Sequence, residues 1–511
     1  MTPTPAAPAT LQGLAVALYA ACQAGLVGYS AHRWQMLRSG GEPASLPAAW
    51  WQADAPPRVL VQLPVRDEPA VVARLVAAVA ALDWPRDRLE VQLLDDSGAA
   101  AATLGAAAVA RARAAGVNAS HLRRSHRHGF KAGALAAGLG VSDAEFVAVF
   151  DADFVPPPDF LSRTLVHFGE PQVGLVQARW GHLNRDANLL TRAQAAMLDA
   201  HLLVEHAWRQ RSGRFLNFNG TAGVWRRACI ESAGGWSHDT LTEDLDLSYR
   251  AQLAGWRFVF DGTLVVPAEL PESMAAFRSQ QHRWAKGALQ TARKLLPRVA
   301  HAPLPWPIKT EAFVHLTANA TYPLLLALAT LLVPVLLGAR TLPGAWVLAL
   351  HAAVVTFGTL PVALFLLRGQ RLAGQRGARA GLNVAAALVL CGGLSWHVAR
   401  AVAEGLWGVT GEFVRTPKTG SEPGGAANAE TSSQSDPPPV RAGRERALAG
   451  FHTGLAGLPE LALATVFTLV ALWSWGSGRP GAAPFLLVLS AGLAWVGVAT
   501  LGTSRMHRSA R

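Results

Sequence analysis

The sequence predicts an α/β domain with a Rossmann-like, mixed and mostly parallel β-sheet, inserted between transmembrane helices. Long apolar stretches occupy 11–30 and most of 313–502, whereas 52–300 carries frequent charged residues and alternates short aliphatic runs with helical ones. Overall, 51% of the residues are hydrophobic and 16% are charged, and a soluble globular protein has about 25% charged residues. The chain therefore combines a soluble domain with a membrane part.

The apolar stretches predict about five transmembrane spans. A helix needs roughly 20 apolar residues to cross the hydrocarbon core of a bilayer. The stretches that satisfy this length are 11–30, 318–338, 345–367, 457–475 and 482–502. A sixth stretch, 380–407, carries His397, Arg400 and Glu404 in its second half. These polar residues favour an interfacial or re-entrant segment over a span.

Basic residues beside the apolar stretches predict the orientation. HRWQMLR (32–38) follows the first span, and RGQRLAGQRGAR (368–379) follows the third. Under the positive-inside rule, residues 31–310 face the cytoplasm, and in a bacterium the protein would lie in the inner (cytoplasmic) membrane. Basic residues beside the apolar stretches then account for much of the net charge of +12. Nucleic acid is not an expected partner, because no aromatic and basic recognition module accompanies the charge.

Four aliphatic runs in the soluble part predict β-strands. They are RVLVQLPV (58–65), LEVQLLDD (89–96), FVAVFDAD (146–153) and VGLVQARW (173–180), with helical runs among them at 71–82, 100–115 and 131–139. Alternating strands and helices predict a mostly parallel sheet with helices on both faces. Ligands of such sheets bind beyond the carboxyl ends of the strands.

Pairs of carboxylates end two of these predicted strands. Asp95 and Asp96 end the second strand, and Asp151 and Asp153 end the third. One interpretation is that each pair caps the helix that follows. Two such sites in one sheet favour a ligand instead, because Asp151 and Asp153 are alternate residues that can share one hard cation with the phosphates of a nucleotide. The expected cation is Mg²⁺ or Mn²⁺.

Two further segments each have a structural and a functional interpretation. HLRRSHRHGFKAG (121–133) is either a solvated charge run or a phosphate-binding loop in which Lys131 is a point charge. Thr242, Glu243 and Asp244 open the helical run 241–256. They are either an N-cap with acidic residues that complement the helix dipole, or they supply a general base. Spacing along the chain leaves these alternatives open.

The motifs LDDS, FDAD, TED and QQHRW occur in that order and precede membrane spans. Together they resemble the processive family 2 glycosyltransferases, such as cellulose, hyaluronan and chitin synthases. The sequence between and around these motifs is most similar to the plant mannan and glucomannan synthases. That similarity extends over roughly 58–420 and includes NFNGTAGVWRRACIESAGGW (217–236), ELPESMAAFRSQQHRW (269–284) and EFVRTPKTG (412–420). The resemblance implies an inverting enzyme with a GT-A fold.

The resemblance also implies roles for residues of the donor site. Asp95 and Asp96 would contact the base and ribose of the nucleotide, and Lys131 would contact its diphosphate. Asp151 and Asp153 would hold the nucleotide and the metal. Gln280 and Arg283 would bind the diphosphate from the Gln-x-x-Arg-Trp motif.

Further roles concern the acceptor and the reaction. Asp244 would be the base that activates the acceptor hydroxyl, within a catalytic motif that includes Thr242 and Glu243, and Trp284 would stack on the acceptor sugar. The other implied acceptor contacts are Phe218, Asn219, Gly220 and Thr221. The residues that match a gating loop over the nucleotide are Phe413, Arg415, Thr416 and Lys418.

These considerations divide the chain into six parts. They are a transmembrane helix at 1–31, a cytoplasmic GT-A domain at 52–300, a transmembrane pair at 313–367, an interfacial or re-entrant segment with the FVRTPK loop at 380–420, a flexible loop at 421–450, and a transmembrane pair at 457–502.

The sequence thus predicts a membrane glycosyltransferase that transfers glucose or mannose from UDP-glucose or GDP-mannose to a growing β-linked glycan. An alternative is a glycolipid synthase that makes one transfer to a lipid hydroxyl. A non-catalytic membrane protein is disfavoured, because carboxylates remain at all three acidic motifs. The residues do not identify the sugar, the linkage or a protein partner.

Overall fold

A computed structural model describes residues 7–38, 46–51, 55–338, 354–408, 418, 420, 456–478 and 480–509. Its soluble domain is built on a seven-stranded sheet with the strand order β3-β2-β1-β4-β6-β5-β7. The strands are β1 (Val59–Val65), β2 (Leu89–Asp95), β3 (Asn118–Arg123), β4 (Phe146–Val149), β5 (Val173–His182), β6 (Gly223–Arg226) and β7 (Arg257–Ala268).

The predicted mixed, mostly parallel sheet is confirmed. Strand β1 pairs in parallel with β2 and β4, β2 pairs in parallel with β3, and β5 pairs in parallel with β7. Strand β6 alone is antiparallel to its neighbours, β4 and β5. The predicted strand 146–153 is only half correct, because β4 ends at Val149 and residues 150–153 leave the sheet at its carboxyl edge.

The helices of the described residues follow one another along the chain as α1 (Ala7–Arg38), α2 (Val72–Ala80), α3 (Ala99–Ala114), α4 (Phe130–Leu139), α5 (Phe160–Leu165), α6 (Leu189–Ala200), α7 (Ala207–Arg211), α8 (Arg227–Ser232), α9 (Glu243–Leu253), α10 (Met274–His301), α11 (Trp306–Thr317), α12 (Thr321–Gly338), α13 (Leu360–Leu372), α14 (Gly377–Gly393), α15 (Ser395–Trp407), α16 (Leu458–Gly476) and α17 (Ala483–Ser509). Helices α2, α3 and α4 confirm the three helical runs predicted between the first strands.

Helices cover both faces of the sheet, as the alternating pattern predicts. Successive side chains of a strand point to opposite faces. In β1, Val59 and Val61 pack into a core that includes residues of α2, α3 and α5. Leu60 packs on the other face, in a core with residues of α4, α8 and α9. The sheet is therefore buried on both sides, and its carboxyl edge is left to bind ligands.

Four described helices are long and apolar enough to cross a membrane: Leu11–Arg38, Trp306–Leu337, Leu458–Gly476 and Pro480–Gly502. They include four of the predicted spans. The predicted span 345–367 lies partly outside the described residues. Helices α14 and α15 form a pair bent by 53° that is a candidate fifth span or a re-entrant loop, so the ambiguity predicted for 380–407 corresponds to an actual break in the helix.

The long helix α10 joins the soluble domain to the membrane helices. Its Arg278 guanidinium lies 2.8 Å from Glu460 at the start of α16 and donates to the Thr500 hydroxyl in α17 at 2.7 Å. Two turns further on, the Lys286 ammonium lies 3.1 Å from Glu404 of α15. Glu460 and the Lys286 side chain are almost fully buried. These pairs fix α10 against three helices of the membrane part.

A second contact between the two parts is a close approach of backbones. Gly369 of α13 packs on Ala200 at the end of α6, and a Cβ atom at Gly369 would lie 2.5 Å from the Ala200 Cα and 2.8 Å from its Cβ. A methyl group therefore has no room unless the two helices move apart.

We expect Gly369→Ala to destabilise the protein by about 1–3 kcal/mol, the usual cost of overpacking. The measurement is thermal unfolding of the purified protein in lipid nanodiscs. Gly381→Ala is the matched control, since Gly381 lies in α14 and a Cβ atom there would meet nothing within 4 Å. An unchanged unfolding temperature for Gly369→Ala would contradict the close packing of α6 and α13.

Candidate active site

A cavity with a volume of about 220 Å³ lies at the carboxyl ends of β1, β2 and β4. It brings together most of the residues that the sequence predicts for one site. Those that line it are Asp96, Lys131, Asp151, Asp153, Asn219, Gly220, Thr242, Glu243, Asp244, Gln280, Arg283, Trp284 and Lys418. Segments that are far apart along the chain thus form one concave surface.

Lys131 lies at the centre of the acidic groups. Its Nζ donates to Asp151 Oδ1 at 2.5 Å and to the backbone carbonyl of Gly220 at 2.9 Å. Glu243 Oε1 lies 4.0 Å away. Burial by itself would lower the pKa of Lys131, but the carboxylates of Asp151, Glu243 and Asp244 outweigh it and raise the pKa. Lys131 is therefore a permanent cation at neutral pH.

The acidic motif at 242–244 does not act as a side-chain N-cap. Thr242 is the N-cap residue of α9, yet its side chain makes no capping hydrogen bond. Its hydroxyl instead lies 3.3 Å from that of Thr291 in α10. Gly287 permits this contact, because a Cβ there would lie 2.5 Å from the Thr242 Cγ2. Helix α10 therefore packs directly on the start of α9.

Asp244 has the ionisation behaviour of a base that works near neutral pH. Burial and the neighbouring carboxylate of Glu243 raise its pKa to about 7, although the Lys131 ammonium and the backbone N–H of Leu245 oppose the rise. That N–H donates to Asp244 Oδ1 at 2.8 Å. A general base is most effective when its pKa lies near the working pH. Burial raises the pKa of Glu243 as well.

One face of α10 contributes to the cavity. Gln280, Arg283 and Trp284 are spaced by three and four residues, so their side chains lie on the same side of the helix, and all three line the cavity. Ser273 begins this helix as a true cap, since its hydroxyl accepts from the Ala276 N–H. The Gln-x-x-Arg-Trp motif is therefore a helical surface that faces the acidic residues.

The carboxylates that end the first strands also have partners other than helix caps. Asp96 forms a two-pronged pair with Arg124, with distances of 3.1 and 2.5 Å. Asp153 Oδ2 accepts from the Glu269 N–H at 3.1 Å and lies 2.7 Å from Lys418 Nζ. The helix after β2 begins at Gly98 without a side-chain cap. The capping interpretation of these carboxylates therefore does not hold.

Three predicted contacts lie behind the cavity wall. Asp95 is buried, accepts from the Ser97 N–H at 2.9 Å and lies 2.8 Å from His121. Phe218 is fully buried in an aromatic cluster with Trp225. The Thr221 hydroxyl accepts from the Asp151 N–H at 2.9 Å. In the structure these side chains support the site from behind.

Part of the predicted gating loop falls outside the described residues, namely Phe413, Arg415 and Thr416. Lys418 is described and lies 2.7 Å from Asp153. Nearby, the Gly420 N–H donates to Glu269 Oε2 at 3.2 Å. This end of the segment therefore reaches the carboxylate of Asp153 after β4 and that of Glu269 after β7.

Sequence reasoning missed several residues of the cavity. Arg127, Trp180, His182 and Glu269 all line it. Arg127 lies within the basic run 121–133, and Trp180 ends a predicted strand, so the sequence carries a signal for both. Glu269 begins the quoted segment ELPESMAAFRSQQHRW, but its place in the cavity depends on where β7 ends in three dimensions.

The residues present fit a divalent cation. The described residues contain no group of three or more His, Cys, Asp or Glu side chains that would hold a metal by themselves. Magnesium ions in proteins commonly use one or two carboxylates and complete their shell with substrate phosphates and water. Asp151 and Asp153 provide two carboxylates in one cavity, and each now pairs with a lysine ammonium. They would hold the cation.

Residues 146–366 match the family model described as glycosyl transferase family group 2. This part of the chain, from β4 into α13, is similar to the family 2 glycosyltransferases. The chain is 45% identical over 251 residues to a probable glucomannan 4-β-mannosyltransferase 9 from Oryza sativa subsp. japonica, a match that covers 48% of this chain and 47% of that protein. It is also 45% identical over 250 residues to the glucomannan 4-β-mannosyltransferase 1 of the same species, with 48% of each chain covered. The matched part thus spans about half the length of these relatives.

Among solved structures, the chain is similar to a mannosyltransferase from Pyrobaculum calidifontis in complex with GDP-mannose and Mn²⁺. The TM-score is 0.49 at 22% identity, and the match covers 78% of this chain and all of the other.

We expect Gly220→Ala to lower transfer activity at least tenfold. Gly220 has φ +81°, and a Cβ there would lie 2.9 Å from Asp244 Oδ2, so the substitution strains the backbone and displaces the Asp244 carboxylate. A loss of 1.4 kcal/mol in positioning would account for about a tenfold change. Gly213→Ala is the matched control, because Gly213 has φ +64° with nothing within 4 Å. If both variants lose activity equally, backbone strain alone is responsible.

Proposed function

We propose that this protein is a membrane glycosyltransferase that transfers mannose from a nucleoside diphosphate donor to a growing β-linked glycan, with inversion at the anomeric carbon. The proposal depends above all on one observation, the convergence of three motifs in one cavity. These are Asp151-Ala-Asp153, Thr242-Glu243-Asp244 and the Gln280, Arg283 and Trp284 face of α10. Mannose is preferred over glucose because the curated relatives are glucomannan mannosyltransferases.

In the proposed reaction, a hydroxyl of the acceptor attacks the anomeric carbon of the donor sugar from the side opposite the diphosphate. The new glycosidic bond forms as the bond from that carbon to the diphosphate oxygen breaks. The hydroxyl proton passes to Asp244, and the electron pair of the broken bond leaves with the nucleoside diphosphate. Attack from the opposite side inverts the configuration.

The basic residues bind and orient the donor. Lys131 and Arg283 both line the cavity with the carboxylates, and a guanidinium binds phosphate oxygens through two parallel hydrogen bonds. Lys418 lies beside Asp153 and extends this cationic surface. A bound Mg²⁺ or Mn²⁺ would neutralise negative charge on the leaving diphosphate. GDP-mannose is the expected donor, with UDP-glucose as the alternative.

The membrane helices suit an acceptor that stays at a bilayer. Helix α10 carries the Gln280, Arg283 and Trp284 face and is fixed to α15, α16 and α17 by the pairs of Arg278 and Lys286. The acceptor would therefore bind next to the membrane helices. With residues 31–310 facing the cytoplasm, the donor would be drawn from the cytoplasmic pool.

The experiment that tests this function uses the protein in lipid nanodiscs with radiolabelled GDP-mannose or UDP-glucose and Mg²⁺ or Mn²⁺. We expect a long, β-mannanase-sensitive product from GDP-mannose. A single labelled species that partitions into organic solvent would instead identify a glycolipid synthase. A β-glucanase-sensitive product from UDP-glucose alone would overturn the assignment of mannose.

Asp244→Asn should reduce transfer by about 100- to 10,000-fold, the usual contribution of a general base. Donor binding should change little, because the amide keeps the size of the side chain. The measurements are the turnover rate and the affinity for GDP-mannose with the cation. Asp239→Asn serves as the control, since Asp239 lies in the same segment but pairs with Lys294 outside the cavity. Near-normal turnover in Asp244→Asn would remove it as the base.

The rate of transfer should fall on the acid side of neutrality. The base acts only when it is ionised, and the pKa of Asp244 is raised to about 7. Below that pH the ionised fraction, and with it the rate, should drop about tenfold for each pH unit. The measurement is kcat/KM for the donor between pH 5 and about 9, because kcat/KM reports the pKa values of the free enzyme. A rate that stays flat down to pH 5 would contradict the raised pKa.

A further inference from the structure

The wall of the cavity nearest the membrane helices has no role in the reaction described above. It is formed by Trp180 and His182 at the end of β5, Leu198 of α6, and Leu270 and Pro271 after β7. Apart from His182, its side chains are apolar and one is a large aromatic ring. Such a surface suits the apolar faces of sugar rings, because aromatic side chains supply a large, rigid contact area.

The backbone directs Trp180 to this wall. The pairing of β5 with β7 shifts register after Ala178, where Arg179 pairs with Val265 although Ala178 pairs with Asp261. Irregularities of this kind re-aim side chains beside active sites. Gly181 then lets β7 come close, since a Cβ at that position would lie 2.7 Å from the Val265 side chain.

Trp180 contributes its aromatic ring to this wall. Its indole Nε1 is shielded from solvent, so the N–H is not accessible from the cavity. The ring is held by an edge-to-face contact with Phe154, with centroids 5.4 Å apart.

The rest of the wall is rigid. Asn184 donates to the Leu270 carbonyl at 2.9 Å and accepts from the Leu270 N–H at 2.8 Å. Gln194 donates to the Pro271 carbonyl at 2.7 Å. These bonds tie the turn after β5 and the helix α6 to the segment after β7. A sugar bound there would meet a preformed surface.

This wall continues into the membrane part. The buried carboxylate of Asp199, at the end of α6, lies 3.4 Å from His182 and 2.8 Å from Arg185. It also accepts from Gln370 Nε2 of α13 at 3.0 Å, and Asn383 of α14 donates to Gln370 Oε1 at 2.9 Å. Side chains of the cavity wall are thus linked to helices beside the bilayer.

We propose that Trp180 forms a second sugar-binding subsite, which holds the acceptor residue behind the one that is being extended. The inference rests on the proposed transfer to a glycan and deepens it. The terminal sugar lies between Asp244 and Trp284, and the chain continues from there over Trp180 towards α6 and the membrane helices. The indole ring stacks on the second sugar. Trp180 therefore favours acceptors of two or more sugars.

The test compares acceptors of one, two, three and four β-1,4-linked mannose units with GDP-mannose, for the protein in nanodiscs. We expect Trp180→Ala to lower kcat/KM about tenfold for mannobiose and longer acceptors, equivalent to about 1.4 kcal/mol. The monosaccharide acceptor should change less than about twofold. Trp180→Phe keeps a smaller aromatic ring, so its kcat/KM for these acceptors should lie between those of the wild type and Trp180→Ala. Polymer made without added acceptor should become shorter in the Trp180→Ala variant.

Trp256→Phe is the matched control. This tryptophan precedes β7, donates to the Ser232 hydroxyl outside the cavity, and should leave acceptor preference unchanged. Acceptor-independent hydrolysis of GDP-mannose reports on the donor site and on folding, and we expect it to stay at the wild-type level in Trp180→Phe. An equal loss for one-sugar and two-sugar acceptors, or a loss of donor hydrolysis in Trp180→Phe, would overturn the subsite. Wild-type protein that hydrolyses GDP-mannose but extends none of the four acceptors would overturn the proposed transfer to a glycan.

Discussion

The candidate site depends on one partly buried cation, the ammonium of Lys131. Lys131 lies among the carboxylates of Asp151, Glu243 and Asp244 and also donates to the Gly220 carbonyl. Several carboxylates line this cavity together, and their mutual repulsion in a low-dielectric space would be severe without a positive charge. The ammonium therefore holds the end of β4, the 217–223 loop and the start of α9 at one point. A bound diphosphate and metal ion would add their negative and positive charges to this same cluster.

Helix α10 connects the cavity with the membrane helices. One of its faces presents Gln280, Arg283 and Trp284 to the cavity, while Arg278 and Lys286 on other faces pair with acids of α15 and α16. Buried charges of this kind are stable only as pairs, and removing one partner leaves the other uncompensated. The position of this face of the cavity is thereby coupled to that of the membrane helices. Under the proposed function, the donor site and an acceptor path along the bilayer would share this wall.

Much of the fold follows from the sequence because its main strands are strong, regular signals. Strands β1, β2 and β5 are aliphatic runs buried on both faces, and they read as continuous apolar segments. Three strands are not predicted from the sequence, and each for a physical reason. The strand β3 lies at an edge of the sheet and is mostly polar, β6 has only four residues, and β7 is interrupted by Asp261 and Gly262. For the polar strand β3, tertiary pairing rather than local propensity makes the segment extended.

The sequence by itself determined the chemistry available to this protein: acidic motifs after strands, a basic loop, a Gln-x-x-Arg-Trp motif and apolar helices. Only the tertiary structure decided which of these residues face the same cavity. Asp96, Asp151 and Asp244 do, whereas Asp95 and Phe218 turn into the core behind them. Successive side chains of a strand point to opposite faces, so neighbours such as Asp95 and Asp96 diverge. Trp180 ends a strand that the sequence predicts, but its place in the cavity wall depends on the register shift between β5 and β7, which are distant along the chain.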